Sequence, residues 1–146
     1  MESKDQTIAI AYAKAWNNLS AAEVAPYIHP HFEYISQHVI KTMTGKDTYL
    51  NYLQNKFDAI RKADERVFGE LGTYQNLSCL VIIQQLSEPK QSGAFQFTEE
   101  GIQPVYTIER TAVLVISVED NFLKRAIMCG IAPSVNKIQR SGIFPK

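Results

Sequence analysis

After Ala63 the apolar residues change their spacing from three and four to two, and they keep the new spacing to Ile131. The first pattern lays one apolar stripe along a helix, and the second alternates faces along a strand. Helices that precede a run of consecutive strands do not make alternating βα units. They predict an α+β fold, a cone-shaped roll of three N-terminal helices packed on one face of a curved, mainly antiparallel sheet.

The first helix is expected over residues 4–18. Ser3 and Gln6 have capping-box spacing, and Ile8, Tyr12, Ala15, Trp16 and Leu19 form the apolar face. A second, short helix starts at once. Ser20 and Glu23 repeat the capping-box spacing, Leu19 and Val24 fit a hydrophobic staple, and Pro26 and Pro30 stop the helix from extending. His31 to His38 then alternates, with Phe32, Tyr34, Ser36 and His38 on one face and His31, Glu33, Ile35 and Gln37 on the other. Thr44 is placed to cap the third helix, Asp47 suits its N-terminal dipole, and Leu50, Leu53, Phe57 and Ile60 make its buried stripe.

Strands are expected over 66–74, 78–86, 94–98, 105–118 and 122–131. The breaks between them are Gln75-Asn76, Glu88-Pro89, Glu100-Gly101 and Glu119-Asp120-Asn121. The last two strands are long and closely joined, which predicts an antiparallel hairpin. Residues 134–146 read as a polar tail.

The chain has 146 residues, 45% apolar and 21% charged, which suits a single domain over 1–146 with its core at about 7–131. Fifteen basic and fifteen acidic side chains cancel, so the basic excess that a nucleic-acid partner rewards is missing. Cys79 and Cys129 each lie in an apolar strand-like run, where a small buried thiol is the ordinary reading. The start Met1-Glu2-Ser3-Lys4-Asp5 lacks the apolar stretch of a signal peptide, and no apolar run approaches the ~20 residues of a membrane helix. A cytoplasmic location with no membrane partner is the expectation. The glycines build neither a phosphate loop nor a dinucleotide fingerprint, and no cofactor is implied. The serines and cysteines lack a nucleophile-elbow context.

The order helix, short helix, strand, long helix and strand meander resembles the nuclear transport factor 2-like superfamily over roughly residues 7–131. Three local signatures carry the likeness: Tyr12-Ala-Lys-Ala-Trp16-Asn17-Asn18, the run from Val24 to Tyr34, and Thr44-Gly45-Lys46-Asp47. That superfamily includes SnoaL-like polyketide cyclases and ketosteroid isomerases. The resemblance implies a conical pocket between helices and sheet, and dimerisation through the outer face of the sheet. It also implies a helix tyrosine, matched by Tyr12, and a strand aspartate, where this chain carries Ser36. The second acid of the isomerase-like branch falls near Leu114, in the apolar run Ala112–Ile116. Isomerase chemistry needs a carboxylate base and an acid facing the developing oxyanion, so the fold is expected and the isomerase activity is not.

The expected ligand pocket is Tyr12, Trp16, Tyr34, Ser36 and His38. Read as chemistry, His38 is the one group that titrates near neutrality, with Tyr12 as oxyanion donor and Ser36 as orienter. Read as structure, the tyrosines are core aromatics and His38 sits at the strand end in solvent. Trp16 can line the pocket or fill core volume. His29, His31 and Glu33 share strand parity and could face a metal, but Pro30 intervenes and no fourth ligand is near, so exposed polar residues are the preferred reading and no metal is expected. Arg110 can hold a ligand carboxylate, or pair with a neighbour or span an interface, and the latter is favoured.

Three functions remain open. The first is a domain that binds an unidentified small apolar or aromatic molecule in the conical pocket. The second is an isomerase, dehydratase or cyclase using His38 and Tyr12. The third is a dimeric interaction module without catalysis. Strands that are apolar at both parities are covered on both faces. A second copy of the chain is therefore expected on the face the helices leave bare, giving a homodimer.

Overall fold

A computed structural model gives the fold and describes residues 4–36, 42–129 and 138–146. Helix α1 (Lys4–Asn18) leads into two 3-10 turns, Ala21–Glu23 and Ala25–Tyr27. Strand β1 (Ile28–Ser36), strand β2 (Met43–Thr44) and helix α2 (Lys46–Lys62) follow. The rest is strand: β3 (Arg66–Tyr74), β4 (Leu77–Thr98), β5 (Gly101–Glu119), β6 (Phe122–Cys129) and β7 (Ile138–Arg140). The sheet order is β2-β1-β6-β5-β4-β3-β7, antiparallel throughout except for the β1–β6 pair. This is the α+β roll that the change of period predicts, with α1 and α2 packed on the inner face of the sheet.

Helix α1 occupies the expected residues and closes at Leu19, whose φ of 52° lets Ser20 N–H reach Ala15 O at 2.9 Å. The expected capping box at Ser20 and Glu23 does not form. The Ser20 side chain makes no cap, and Gln54 Oε1 on α2 accepts the Ala21 N–H at 2.9 Å instead. The segment is therefore two 3-10 turns rather than a third α-helix, with Pro26 opening the second. Thr44 does not cap α2 either. It pairs with Glu33 in the β1–β2 ladder, and Gly45 takes the cap position at a φ of 101° that suits glycine.

Strand β3 matches its expected bounds. The expected break at Glu88-Pro89 does not end a strand: β4 continues through it, with register irregularities between Gln85 and Lys90 and between Gln91 and Phe95. The turns Gln75-Asn76 and Asp120-Asn121 hold φ values of 50°, 64°, 54° and 65°, as primed hairpin turns require. The expected polar tail is partly structural, because Ile138–Arg140 adds to the edge of β3 as β7.

Asn17 and Glu70 tie this C-terminal segment down. Asn17 Nδ2 donates to Gly69 O at 2.9 Å and to Pro145 O at 2.6 Å, while Gly69 N–H donates to Asn17 Oδ1 at 2.7 Å. Gly69 permits the approach: a Cβ there would stand 3.2 Å from Trp16 Cβ and 3.3 Å from Ala13 O. Glu70, 2% exposed, accepts from Arg140 Nε at 2.7 Å and from Gly142 N–H at 2.7 Å.

On the sheet face opposite the helices, Cys79, Val81 and Val113 are already buried within one chain.

Arg140 is half-exposed, but it faces the buried carboxylate of Glu70, so removing it leaves that charge with one partner fewer. Arg140→Ala should therefore lower the unfolding free energy in urea by ~1–2 kcal/mol. Adding Glu70→Gln to that variant should restore more than half of the loss. Equal stability of the single and double variants would show that the charge is not the source of the cost.

Candidate functional site

Three elements bring side chains onto the inner face of the sheet. Tyr12 and Trp16 come from one face of α1, a turn apart and both buried. Alternation along β1 sends Phe32, Tyr34 and Ser36 inward. Helix α2 is turned so that Tyr49, Leu53, Phe57 and Ile60 are buried, while Leu50, expected in that stripe, is only half-buried. His38 lies outside the described residues.

Tyr49 changes the character of the interior. Its hydroxyl is hydrogen-bonded to that of Tyr12, and either can donate. Its ring centroid lies 4.6 Å from Phe32 and 5.1 Å from Tyr34. Tyr52, half-buried on the same helix, lies 5.5 Å from Tyr34. The Tyr34 hydroxyl is hydrogen-bonded to the side chains of Tyr52 and Ser36. Trp16 meets Phe57 edge-on at 5.0 Å, and among the described residues its indole N–H is a buried donor without an acceptor. The sequence contained a signal for Tyr49: it precedes Leu53 by four residues and Phe57 by eight, as regular a spacing as that of Leu50.

The structure thus gathers Tyr12, Trp16, Tyr34 and Ser36 into one core. It also fills the space beside Tyr12, which has no exposed surface. The Tyr49 ring and the hydroxyl pair close that end. A cleft of about 680 Å³ lies elsewhere, lined by Ile10 on α1, Leu71 and Cys79 on β3 and β4, and Arg140 and Ile143 in the C-terminal segment. Burial pushes the Cys79 thiol up to about 11, so it is no thiolate nucleophile at neutral pH.

Ser36 pairs with Met128 across β1 and β6, and Leu114 pairs with Met128 across β5 and β6. The two positions at which isomerase-like members carry acids therefore flank one residue of the inner face, and neither is acidic here. Among the described residues Glu70 is buried and held by Arg140 and Gly142, and the Glu65 side chain, 7% exposed, is held by Lys90 and Gln84. Burial raises Tyr12, Tyr34 and Tyr49 well above the ordinary phenol value. These hydroxyls stay neutral, able to donate and unable to act as bases near pH 7.

The second histidine face does not assemble as a metal site. Glu33 accepts from Arg125 Nη2 at 3.2 Å, and His29 Nδ1 accepts the His31 N–H at 3.0 Å. Among the described residues no group of three His, Cys, Asp or Glu side chains is arranged to hold a metal. Arg110 is exposed on β5, away from the tyrosines. No described helix is long and apolar enough to cross a membrane.

No family model and no curated protein matches the sequence. Solved structures match its shape. A candidate ketosteroid isomerase from Kribbella flavida superposes with a TM-score of 0.60 at 13% identity, covering 89% of this chain and 79% of its own. A SnoaL-like protein of unknown function from Burkholderia thailandensis gives 0.58 at 14% identity, covering 90% and 98%. TerC, co-crystallised with polyporic acid, gives 0.54 at 12% identity, covering 92% and 95%. The chain has the nuclear transport factor 2-like fold that these proteins share.

The buried phenols make alkaline stability a direct readout of this core. Well below pH 10 Tyr12, Tyr34 and Tyr49 are neutral in both the folded and the unfolded chain, and their contribution is constant. Above pH 10 the unfolded phenols ionise while Tyr12, Tyr34 and Tyr49 keep their protons in the fold, so stability falls as pH rises. The limiting slope is ~1.4 kcal/mol per pH unit for each tyrosine, or ~4 for the three. Their phenolate absorbance at 295 nm should appear only with loss of the circular-dichroism signal. Ionisation of all seven tyrosines before unfolding would contradict the packing.

Proposed function

We propose that this protein binds a small, oxygen-bearing aromatic or apolar molecule in the interior of the cone, and that it does so without carboxylate acid–base catalysis. The observation that carries this reading is the donor set. Among the described residues the indole N–H of Trp16 has no acceptor, and it lies in the same hydrophobic core as Tyr34, whose hydroxyl is hydrogen-bonded to Tyr52 and Ser36. Such a set favours a ligand with acceptor oxygens on a flat apolar frame, because rings stack on rings and buried donors seek acceptors. Access fits the side of Ser36, Tyr52 and Met43, since Tyr52 and Met43 are only half-buried. The crystallisation of TerC with polyporic acid supports the reading at the level of the fold alone.

The catalytic alternative has less support. Of its two residues, His38 lies outside the described residues and Tyr12 is engaged by Tyr49 and enclosed, while Ser36 and Leu114 supply no carboxylate. A positioned general base typically contributes ~10²–10⁴-fold, so a steroid isomerase assay should read background.

A thermal-shift screen of polyporic acid, small aromatic acids, lactones and polyketide-like compounds tests the reading. A ligand that binds only the folded chain raises the melting temperature by mass action. Tyr52→Phe and Ser36→Ala nearly preserve volume, and each should weaken a hit about fivefold, the loss of one hydrogen bond of ~1 kcal/mol. His38→Gln tests the remaining member of the expected pocket. A hit that stabilises wild type and these variants equally, or robust isomerase turnover, would overturn the proposal.

A further inference from the structure

The hairpin of β4 and β5 runs on beyond the sheet. β3 pairs with β4 only to Gln85, and β6 meets β5 only from Val113, so among the described residues the ribbon between them has no third strand. A lone two-stranded ribbon is marginal in water. This one nevertheless shows Phe95, Phe97, Ile102, Tyr106 and Ile108 to solvent, each between 59% and 88% exposed. Phe97 sits opposite Ile102 and Phe95 opposite Pro104, and even-numbered spacing adds Tyr106 and Ile108 to the same face. The apolar residues thus lie on one side of a projecting arm.

We infer that this face docks on the same face of the arm from a second copy of the chain, the two arms lying antiparallel about a two-fold axis. Each arm offers on the order of 600 Å² of apolar surface, as large as the largest patch on a typical monomer. Two arms face to face bury on the order of 1,200 Å², which reaches the size of a stable specific interface.

Contact is through the face rather than the edge. Each free edge of the arm carries a proline, Pro89 on β4 and Pro104 on β5, which interrupts the row of donors that strand addition needs.

Charge fixes the orientation. Glu99 and Glu100 lie at the tip, and Arg110 lies at the base with the parity of the apolar stripe. Among the described residues Arg110 has no ion-pair partner. Antiparallel arms set the acidic tip of one against Arg110 of the other, and the two-fold axis makes the contact twice.

Sedimentation velocity on the full chain at micromolar concentration should give twice the 16.5 kDa chain mass. Phe97→Ser with Ile102→Ser should give the monomer mass with an unchanged melting profile, since both side chains are exposed in the single chain. Arg110→Glu should raise the dimer dissociation constant about tenfold through two lost pairs and the repulsion that replaces them. Adding Glu99→Lys and Glu100→Lys to that variant should restore association. A monomeric wild type, or a dimer indifferent to the Phe97 and Ile102 changes, overturns the inference.

Discussion

Asn17 holds three parts of the chain at one point. Its amide clamps both backbone groups of Gly69 on β3 and the carbonyl of Pro145 at the C-terminal end. The missing side chain of Gly69 lets α1 lie against β3 at a distance that any Cβ would contest. With that contact made, the rotation of α1 is set, and Tyr12 and Trp16 can only point inward. The Tyr12 hydroxyl, buried away from solvent, then needs a partner. Tyr49 supplies it, and with it the rotation of α2.

The interior that follows differs in kind from a general acid–base site. A carboxylate in an apolar cone is useful because burial and neighbours tune its proton affinity. Phenols under the same burial move the other way from usefulness as bases, since desolvation disfavours their charged form and fixes them as neutral donors. Tyr12 and Tyr49 satisfy each other. Tyr34 is shared between Tyr52 and Ser36, closer to the surface. Among the described residues Trp16 is left with a buried donor and no acceptor. Recognition of oxygen atoms is what such a set can do.

The α+β fold was legible in the chain because period is a long-range average: the stripe of α1 and the alternation of β3 each rest on many residues and survive local exceptions. The misreadings fall where one residue decides. Tyr49 and Leu50 both fit the spacing of Leu53 and Phe57, and hydropathy favours leucine. What selects Tyr49 is the hydroxyl of Tyr12, 37 residues away. Thr44 is a good cap by type, but β-pairing with Glu33 claims it. Pro89 reads as a break, yet among the described residues β4 has no neighbour on that edge, so no N–H is required there. The pair of Glu70 and Arg140 had no local signal, because its partners stand 70 residues apart and one of them lay in an apparent tail. Four of the expected pocket residues are on the inner face, but that the core beside Tyr12 is filled depends on Tyr49 and could not be read from Tyr12 alone.

The chain holds one tryptophan, so one indole resonance reports on the core in a ¹H–¹⁵N spectrum. Titration with a compound that raises the melting temperature of the protein should move that resonance downfield and slow its exchange with solvent, as the Trp16 N–H gains an acceptor. Binding seen in the amide resonances while the indole signal stays in place would contradict the interior as the site of recognition.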